Sequence, residues 1–255
     1  MLLQQTTEKL RALGLKVMAA AASEQVTDPS LGELGFDERL GLLVDREWDA
    51  RENRRLATRL KAARLKDGAC IEDVECGATR GLERGLLQNL AGGHWIAAHQ
   101  SVVISGPTGA GKTFLACALG NRACRMGHSV SYQRVSRLLD DLGLARADGS
   151  LRSLVRRLAK AEVLILDDWG LMPLDAGQAQ DVLDILEDRA GCGSTVIVTQ
   201  IPVAQWHARI ADPTIADAIC DRLVHGSHRI ELRGESQRRL RAARAAGGEA
   251  SGRSQ

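Results

Sequence analysis

The residues best suited to chemistry stand in two short strings. Gly106-Pro107-Thr108-Gly109-Ala110-Gly111-Lys112-Thr113 fits GxxxxGK[ST], follows the apolar run Ser101 to Ser105 and opens an apolar helical segment at Phe114. Glycines let such a loop turn its backbone N–H groups inward on a phosphate, and the partial positive charge of a helix N-terminus adds to the attraction. Lys112 is placed to reach the β and γ phosphates of a nucleoside triphosphate, and the Thr113 hydroxyl to ligate Mg²⁺. The second string, Val163-Leu-Ile-Leu-Asp167-Asp168, lies roughly 50 residues downstream. A hydrolytic site of this class needs a carboxylate on the metal side, here Asp167, and a group that orients and deprotonates the attacking water, here Asp168. Thr199 and Gln200 end another apolar run, where a polar side chain would touch the γ-phosphate or the water. Arg222, shortly before the last apolar run, is a candidate arginine finger acting on a neighbour's γ-phosphate.

These residues must be positioned by alternating strands and helices. Apolar runs near 101–105, 128–134, 163–167, 194–199 and 228–232 read as strands; helices are expected near 111–126, 136–145, 150–160, 175–190, 202–210 and 213–224. Runs without polar alternation mean strands covered on both faces, the parallel, doubly wound α/β arrangement, whose ligand crevice lies outside the carboxyl ends of the strands. Residues 1 to about 68 read as helical instead. Leu10, Leu13 and Val17 fall at helical spacing, Ser30 to Glu33 has the capping-box form, and Phe36, Leu40, Leu43, Val44 and Trp48 share one face. Beyond Trp48 the apolar positions thin to Leu56, Leu60 and Leu65, a narrow stripe for burial. The expected organisation is a helical domain over 1–68, an α/β domain over 69–240 and a flexible tail over 241–255.

The net charge of +2 conceals three regions. Arg46 to Lys66 carries eight cations against three acids, Glu162 to Arg189 eight acids against Arg189 alone, and Arg229 to Gln255 seven Arg against three Glu. Of the 34 cations 28 are Arg. No run approaches the roughly 18 to 20 apolar residues of a membrane span, so a cytoplasmic protein without membrane contact is expected. The six cysteines show no CxxC pair, which argues against a zinc site and for free thiols.

GPTGAGKT, LILDDWG and the long string LEDRAGCGSTVIVTQIPVAQWHARIADPTIADAICDRLVHGSHRIELRGESQRR together resemble the IstB-like family of ATP-dependent transposition helpers, AAA+ ATPases near the bacterial helicase loaders and initiators. FDERLGLLVDREWDARENRRLATRLKAARL is similar to that family's leading segment. The resemblance implies a three-layer αβα core with a parallel five-stranded sheet in the order 5-1-4-3-2, behind a small all-helical N-terminal domain. It implies ATP and Mg²⁺ as cofactors, with ATP held by Gly106 to Phe114 and the metal by Thr113 and Asp167. It also implies an ATP-dependent homo-oligomer, a ring or helix, on double-stranded DNA, with nucleotide between subunits, and a cognate transposase that the assembly recruits or stimulates. On the same ground Arg222 is the favoured finger, Thr199-Gln200 the first sensor and Arg238 sits where a second sensor would lie, although the chain is short after it for a helical lid. Many AAA+ ATPases carry Glu where this chain has Asp168; a shorter carboxylate stands further from the water, so slow hydrolysis is expected.

The basic segment suits phosphate contacts with DNA, and Arg51, Arg54, Arg55, Arg59, Lys61 and Arg64 are the candidates. The scarcity of aromatics, 3% of the chain, argues for a duplex gripped by its backbone and against a base-stacking platform. Two other readings stay open at this point: a helicase loader, and a metabolic kinase with the same phosphate loop. A loader would present an apolar docking patch in its N-terminal segment, where this chain presents Arg; a kinase needs an acceptor pocket and a lid to which no residues point.

Overall fold

The computed structural model describes residues 2–31 and 33–234. The chain forms two compact units, Met1–Thr58 and Arg59–Gln255. In the first, α1 (Leu2–Ala12) packs on α2 (Lys16–Thr27), and α3 (Phe36–Ala63) begins after a single turn at Pro29–Leu31. Leu15 precedes α2 and offers its first turn no acceptor. The acceptor comes from α3 instead: Glu47 Oε2 takes the N–H groups of Val17 and Met18 at 2.9 and 3.0 Å. A carboxylate there satisfies orphan donors and meets the positive end of the helix dipole.

Two expectations for this unit are corrected. Ser30 to Glu33 does not cap α3; the Ser30 hydroxyl donates to Asp28, and α3 starts at Phe36 with the Glu38 carboxylate accepting the Gly35 N–H at 2.8 Å. The apolar face of α3 is not buried: Phe36 is 70% exposed, Val44 48% and Trp48 63%. Apart from Ala63 in its last turn, the residue that α3 does bury is Glu47, because its carboxylate is what α2 requires.

In the second unit, α4 (Arg84–Ala91) and α5 (His94–Ala97) precede β1 (Val102–Ser105), followed by α6 (Lys112–Arg125), β2 (Val130–Arg134), α7 (Val135–Asp148), α8 (Leu151–Ala159), β3 (Val163–Trp169), α9 (Ala176–Arg189), β4 (Ser194–Thr199), α10 (Pro213–Val224) and β5 (His228–Glu231). All pairings are parallel and the order is β2-β3-β4-β1-β5, the expected 5-1-4-3-2. The central positions of β1, β3 and β4 are buried, as strands covered on both faces require. Leu138, Leu142, Leu158, Leu166, Ile197 and Ile219 belong to the core that the helices α7 to α10 build on the sheet.

The helix expected at 202–210 is instead two single turns, Val203–Gln205 and His207–Arg209. Leu174 pulls this backbone out of helical bonding, donating to Arg209 O at 2.8 Å and accepting from Ala211 N–H at 3.0 Å. Trp206 pins the turn, with its Nε1–H on Ile201 O at 3.0 Å and its ring edge-on to Trp169. No helix among the described residues is long and apolar enough to cross a membrane.

One irregularity lies at the site. Leu166 pairs with Ile197, but Trp169 pairs with Thr199, so β3 holds one residue more than β4 over this interval. The extra residue falls at Asp167-Asp168, and such a bulge re-aims side chains at the end of a strand.

Candidate nucleotide-binding site

β1 ends at Ser105 and α6 begins at Lys112, so the phosphate loop spans the carboxyl end of the strand and the start of the helix. Gly106 has φ +142°, and a Cβ there would stand 2.2 Å from the Leu232 carbonyl oxygen; no side chain fits where the loop passes the segment after β5. Gly111, at φ +91°, caps α6 without a side chain, leaving the first-turn N–H groups of the helix for a ligand.

Lys112 is buried, and its ammonium donates to Pro107 O at 2.8 Å. Burial lowers its pKa, while the charges of Asp167 and Asp168 oppose that shift. Asp167 has no exposed surface. It accepts from the Thr113 hydroxyl at 3.0 and 3.2 Å, from Tyr132 OH at 2.5 Å and from the Asp168 N–H at 2.9 Å, and Lys66 Nζ stands 3.9 Å away. Burial, and then Asp167, push the Tyr132 phenol well above its ordinary range, so it stays a donor. A hydroxyl and a carboxylate this close form a hard oxygen donor pair that fits Mg²⁺, an ion that takes its other ligands from phosphates and water.

Asp168 sits at φ +63°, a left-handed conformation that non-glycine residues rarely adopt. Arg134, at the end of β2, holds it by Nε to Oδ2 at 2.7 Å. The Gln200 amide oxygen accepts from the Thr108 hydroxyl of the loop, whereas Thr199 is fully buried and its hydroxyl ties the end of β4 to that of β3, donating to Trp169 O at 2.9 Å and accepting the Ile201 N–H at 3.0 Å. A cavity of about 420 Å³ joins these groups, with Arg80, Lys112, Thr113, Asp167 and Gln200 in its wall. Its volume is that of a small-molecule site.

Arg222 lies elsewhere. Its guanidinium bonds Glu187 at 2.8 Å and Ala218 O at 3.1 Å, beside Ser101 and Thr195 at the amino ends of the strands. The proposed DNA cations are for the most part engaged within the chain. Arg51 bonds Glu47 at 2.8 Å, Arg54 stands 3.5 Å from the same carboxylate, Arg55 bonds Glu52 at 2.6 Å and Arg59 donates to Cys124 O at 3.0 Å. The Arg51 bond and the Met18 N–H hold the Glu47 carboxyl below its ordinary pKa. Lys61 and Arg64 are exposed. Arg238 and the tail 241–255 lie outside the described residues.

Lys66, Arg80 and Arg134 in the cavity wall, and Tyr132 bonded to Asp167, were not singled out from sequence. Arg80 reaches the loop itself, donating to Ala110 O at 3.0 Å and to Glu75 O at 2.8 Å. Tyr132 and Arg134 carried a usable signal, since β2 runs beside β3 and pairs Arg134 with Asp167.

Phosphate loop, buried strand-end carboxylate and strand order together define an ATP-binding core. The profile of the IstB-like ATP binding proteins matches residues 8–246. This chain belongs to the IstB-like ATP-binding family. It is 52% identical over 239 residues, 94% of this chain and 98% of the relative, to an insertion sequence ATP-binding protein of Sinorhizobium fredii. The IS1162 ATP-binding protein of Pseudomonas fluorescens is 46% identical over 84% of this chain and 93% of its own. Among solved structures, DnaI superposes with a TM-score of 0.56 at 20% identity, covering 67% of this chain and 90% of DnaI. AMPPCP-bound DnaA from Aquifex aeolicus gives 0.57 at 16% identity, covering 73% of this chain and 56% of DnaA. These two show that the IstB-like chain shares their AAA+ fold.

Proposed function

We propose that this IstB-like protein hydrolyses ATP with Mg²⁺, assembles as a homo-oligomer on double-stranded DNA, and in that form recruits or stimulates the transposase of its insertion sequence. The observation that carries the hydrolytic part is the cluster of Thr113, Asp167 and Asp168 beside Lys112 and the loop amides. In this reading the loop amides and Lys112 bind the phosphates. Thr113 and Asp167 would hold Mg²⁺, which would supply positive charge to the phosphates when bound. Asp168 accepts a proton from the attacking water once Arg134 releases its carboxylate, so the Arg134 bond keeps turnover low until the site rearranges. Gln200, tied to the loop through Thr108, is better placed than the buried Thr199 to sense the γ-phosphate. Arg222 acts in trans on a neighbouring subunit, a role compatible with its place away from its own phosphate loop.

Sedimentation with and without ATP, Mg²⁺ and duplex DNA tests the assembly, which is expected with ATP and absent with ADP. The same monomer under every condition would sink it. One observation favours a second reading, a loader-type adaptor that grips another protein: Phe36, Leu40, Val44 and Trp48 are exposed on α3. Capture of a replicative helicase that is lost in Phe36→Ser/Trp48→Ser, with no stimulation of the transposase by the unaltered protein, would replace the first reading by the second.

A further inference from the structure

The helix α8 (Leu151–Ala159) and the residue that follows it, Lys160, separate their side chains sharply. At 100° per residue, Leu151, Leu154, Val155 and Leu158 fall within an arc of about 100°, and Arg152, Arg156, Arg157 and Lys160 within about 140° on the other side. Leu154 and Leu158 are buried in the core of the α/β unit, with Leu151 and Val155 packed against it. All four cations are exposed, and no acid occurs between Leu151 and Lys160. Among the described residues none of the four makes an ion pair or a side-chain hydrogen bond.

Cations near a helix C-terminus ordinarily have an internal task, answering the last carbonyls. Here that task is taken. Arg189 reaches from the end of α9, 1% exposed, and donates to Leu158 O at 2.9 Å and Ala161 O at 2.5 Å, with Ala159 O at 3.4 Å. The surface cations of α8 are therefore left with solvent or with a partner. Arg152 to Lys160 spans about 12 Å along the helix axis. Over that length one strand of B-DNA presents roughly three or four phosphates. No aromatic residue lies between Arg134 and Lys160, so the face has nothing on which to stack an unpaired base.

We infer that the basic face of α8, formed by Arg152, Arg156, Arg157 and Lys160, is a contact surface for the phosphate backbone of double-stranded DNA. The inference rests on the duplex-binding reading above and moves its centre from the α3 arginines, most of which are bonded within the chain, to a helix that follows β2 and α7 directly. α7 starts at Val135, next to the Arg134 that holds Asp168, so duplex bound on this face lies one helix away in sequence from the catalytic end of the site.

The test uses the full chain, a duplex of roughly three helical turns and ATP with Mg²⁺, with affinity read by anisotropy over a series of salt concentrations. The variant Arg152→Gln/Arg156→Gln/Arg157→Gln/Lys160→Gln is expected to lose at least about tenfold in affinity, with a log–log salt slope shallower by roughly 3 to 4. Its ATP affinity, read with a fluorescent nucleotide, is expected to stay unchanged, since the apolar arc is intact. Arg152→Lys/Arg156→Lys/Arg157→Lys keeps the charge and is expected to keep the slope. Wild-type binding with an unchanged slope in the Gln variant overturns the assignment to α8 alone. A wild-type chain that binds no duplex in any nucleotide state overturns both the assignment and the reading beneath it.

Discussion

At the carboxyl ends of the strands, Lys112, Asp167, Asp168 and Gln200 gather around one cavity, each held by a neighbour that a ligand can replace: a loop carbonyl, a threonine, an arginine, a second threonine. At the amino ends Arg189 is spent on structure. Among the described residues Arg189 has no carboxylate partner; it is almost fully buried, and burial pushes its pKa down to about 10, so it remains charged at neutral pH. What compensates is a set of carbonyls from the end of α8, the loop before β3 and the start of β4. A buried ion is tolerated when hydrogen bonds satisfy it, and one such residue ties three segments together. The same side-chain chemistry thus serves exchangeable contacts at one end of the sheet and permanent ones at the other.

The largest expected effect tests whether Arg222 belongs to the permanent set or to a neighbour's site. Arg222→Ala is expected to lower ATP turnover of the assembled protein by roughly 10³-fold, with ATP affinity unchanged. Turnover that persists, measured by phosphate release, returns Arg222 to its Glu187 pair and leaves another arginine, such as Arg209, as the finger. Asp168→Asn comes next, expected to cost about 10²-fold or more in turnover while ATP still binds; an unchanged rate removes Asp168 from the reaction. Arg189→Met, which leaves several buried carbonyls without donors, is expected to destabilise the α/β unit by about 3 kcal/mol, read as a shift in denaturant midpoint. A midpoint unchanged from wild type would undo the contrast between the two ends.

The smallest effect is a pH dependence at the turn before β3. Burial raises the Glu162 pKa, but bonds from His128 and Ser129 outweigh it, so the folded carboxyl titrates below its ordinary 4.5. Its contribution is present above that value and disappears as pH falls through the lowered folded pKa. Glu162→Gln is therefore expected to melt slightly below wild type at neutral pH, by a few tenths of a kcal/mol for a pair so exposed. The gap should close on acidification, and a gap that widens instead would reverse the sign.

What could be read in advance was local. The phosphate loop needs glycines, a lysine and a hydroxyl at fixed offsets between a strand and a helix, and all of these are adjacent in the chain. The apolar runs gave the strands, and the long IstB-like string gave their order. What could not be read depends on partners distant in sequence. The apolar residues of α3 suggested a buried face, yet the helix buries Glu47 because α2, thirty residues earlier, lacks a cap. The turn at Trp206 follows from Leu174 and Trp169. The basic face of α8 escaped a charge count because it falls between the counted basic and acidic stretches, and only burial shows that its cations point outward together.

The sequence alone determined the class of chemistry, because GPTGAGKT and the paired aspartates carry their geometry in short-range backbone rules. It determined the sheet as well, since continuous apolar runs have no stable place but between two layers of helices. The tertiary structure decided which charges are available. An arginine is identical in sequence whether its guanidinium meets a carbonyl, a carboxylate or water, and only packing brings Arg189 to the end of α8 and Arg134 to Asp168, and, among the described residues, no side-chain partner to Arg152, Arg156, Arg157 and Lys160.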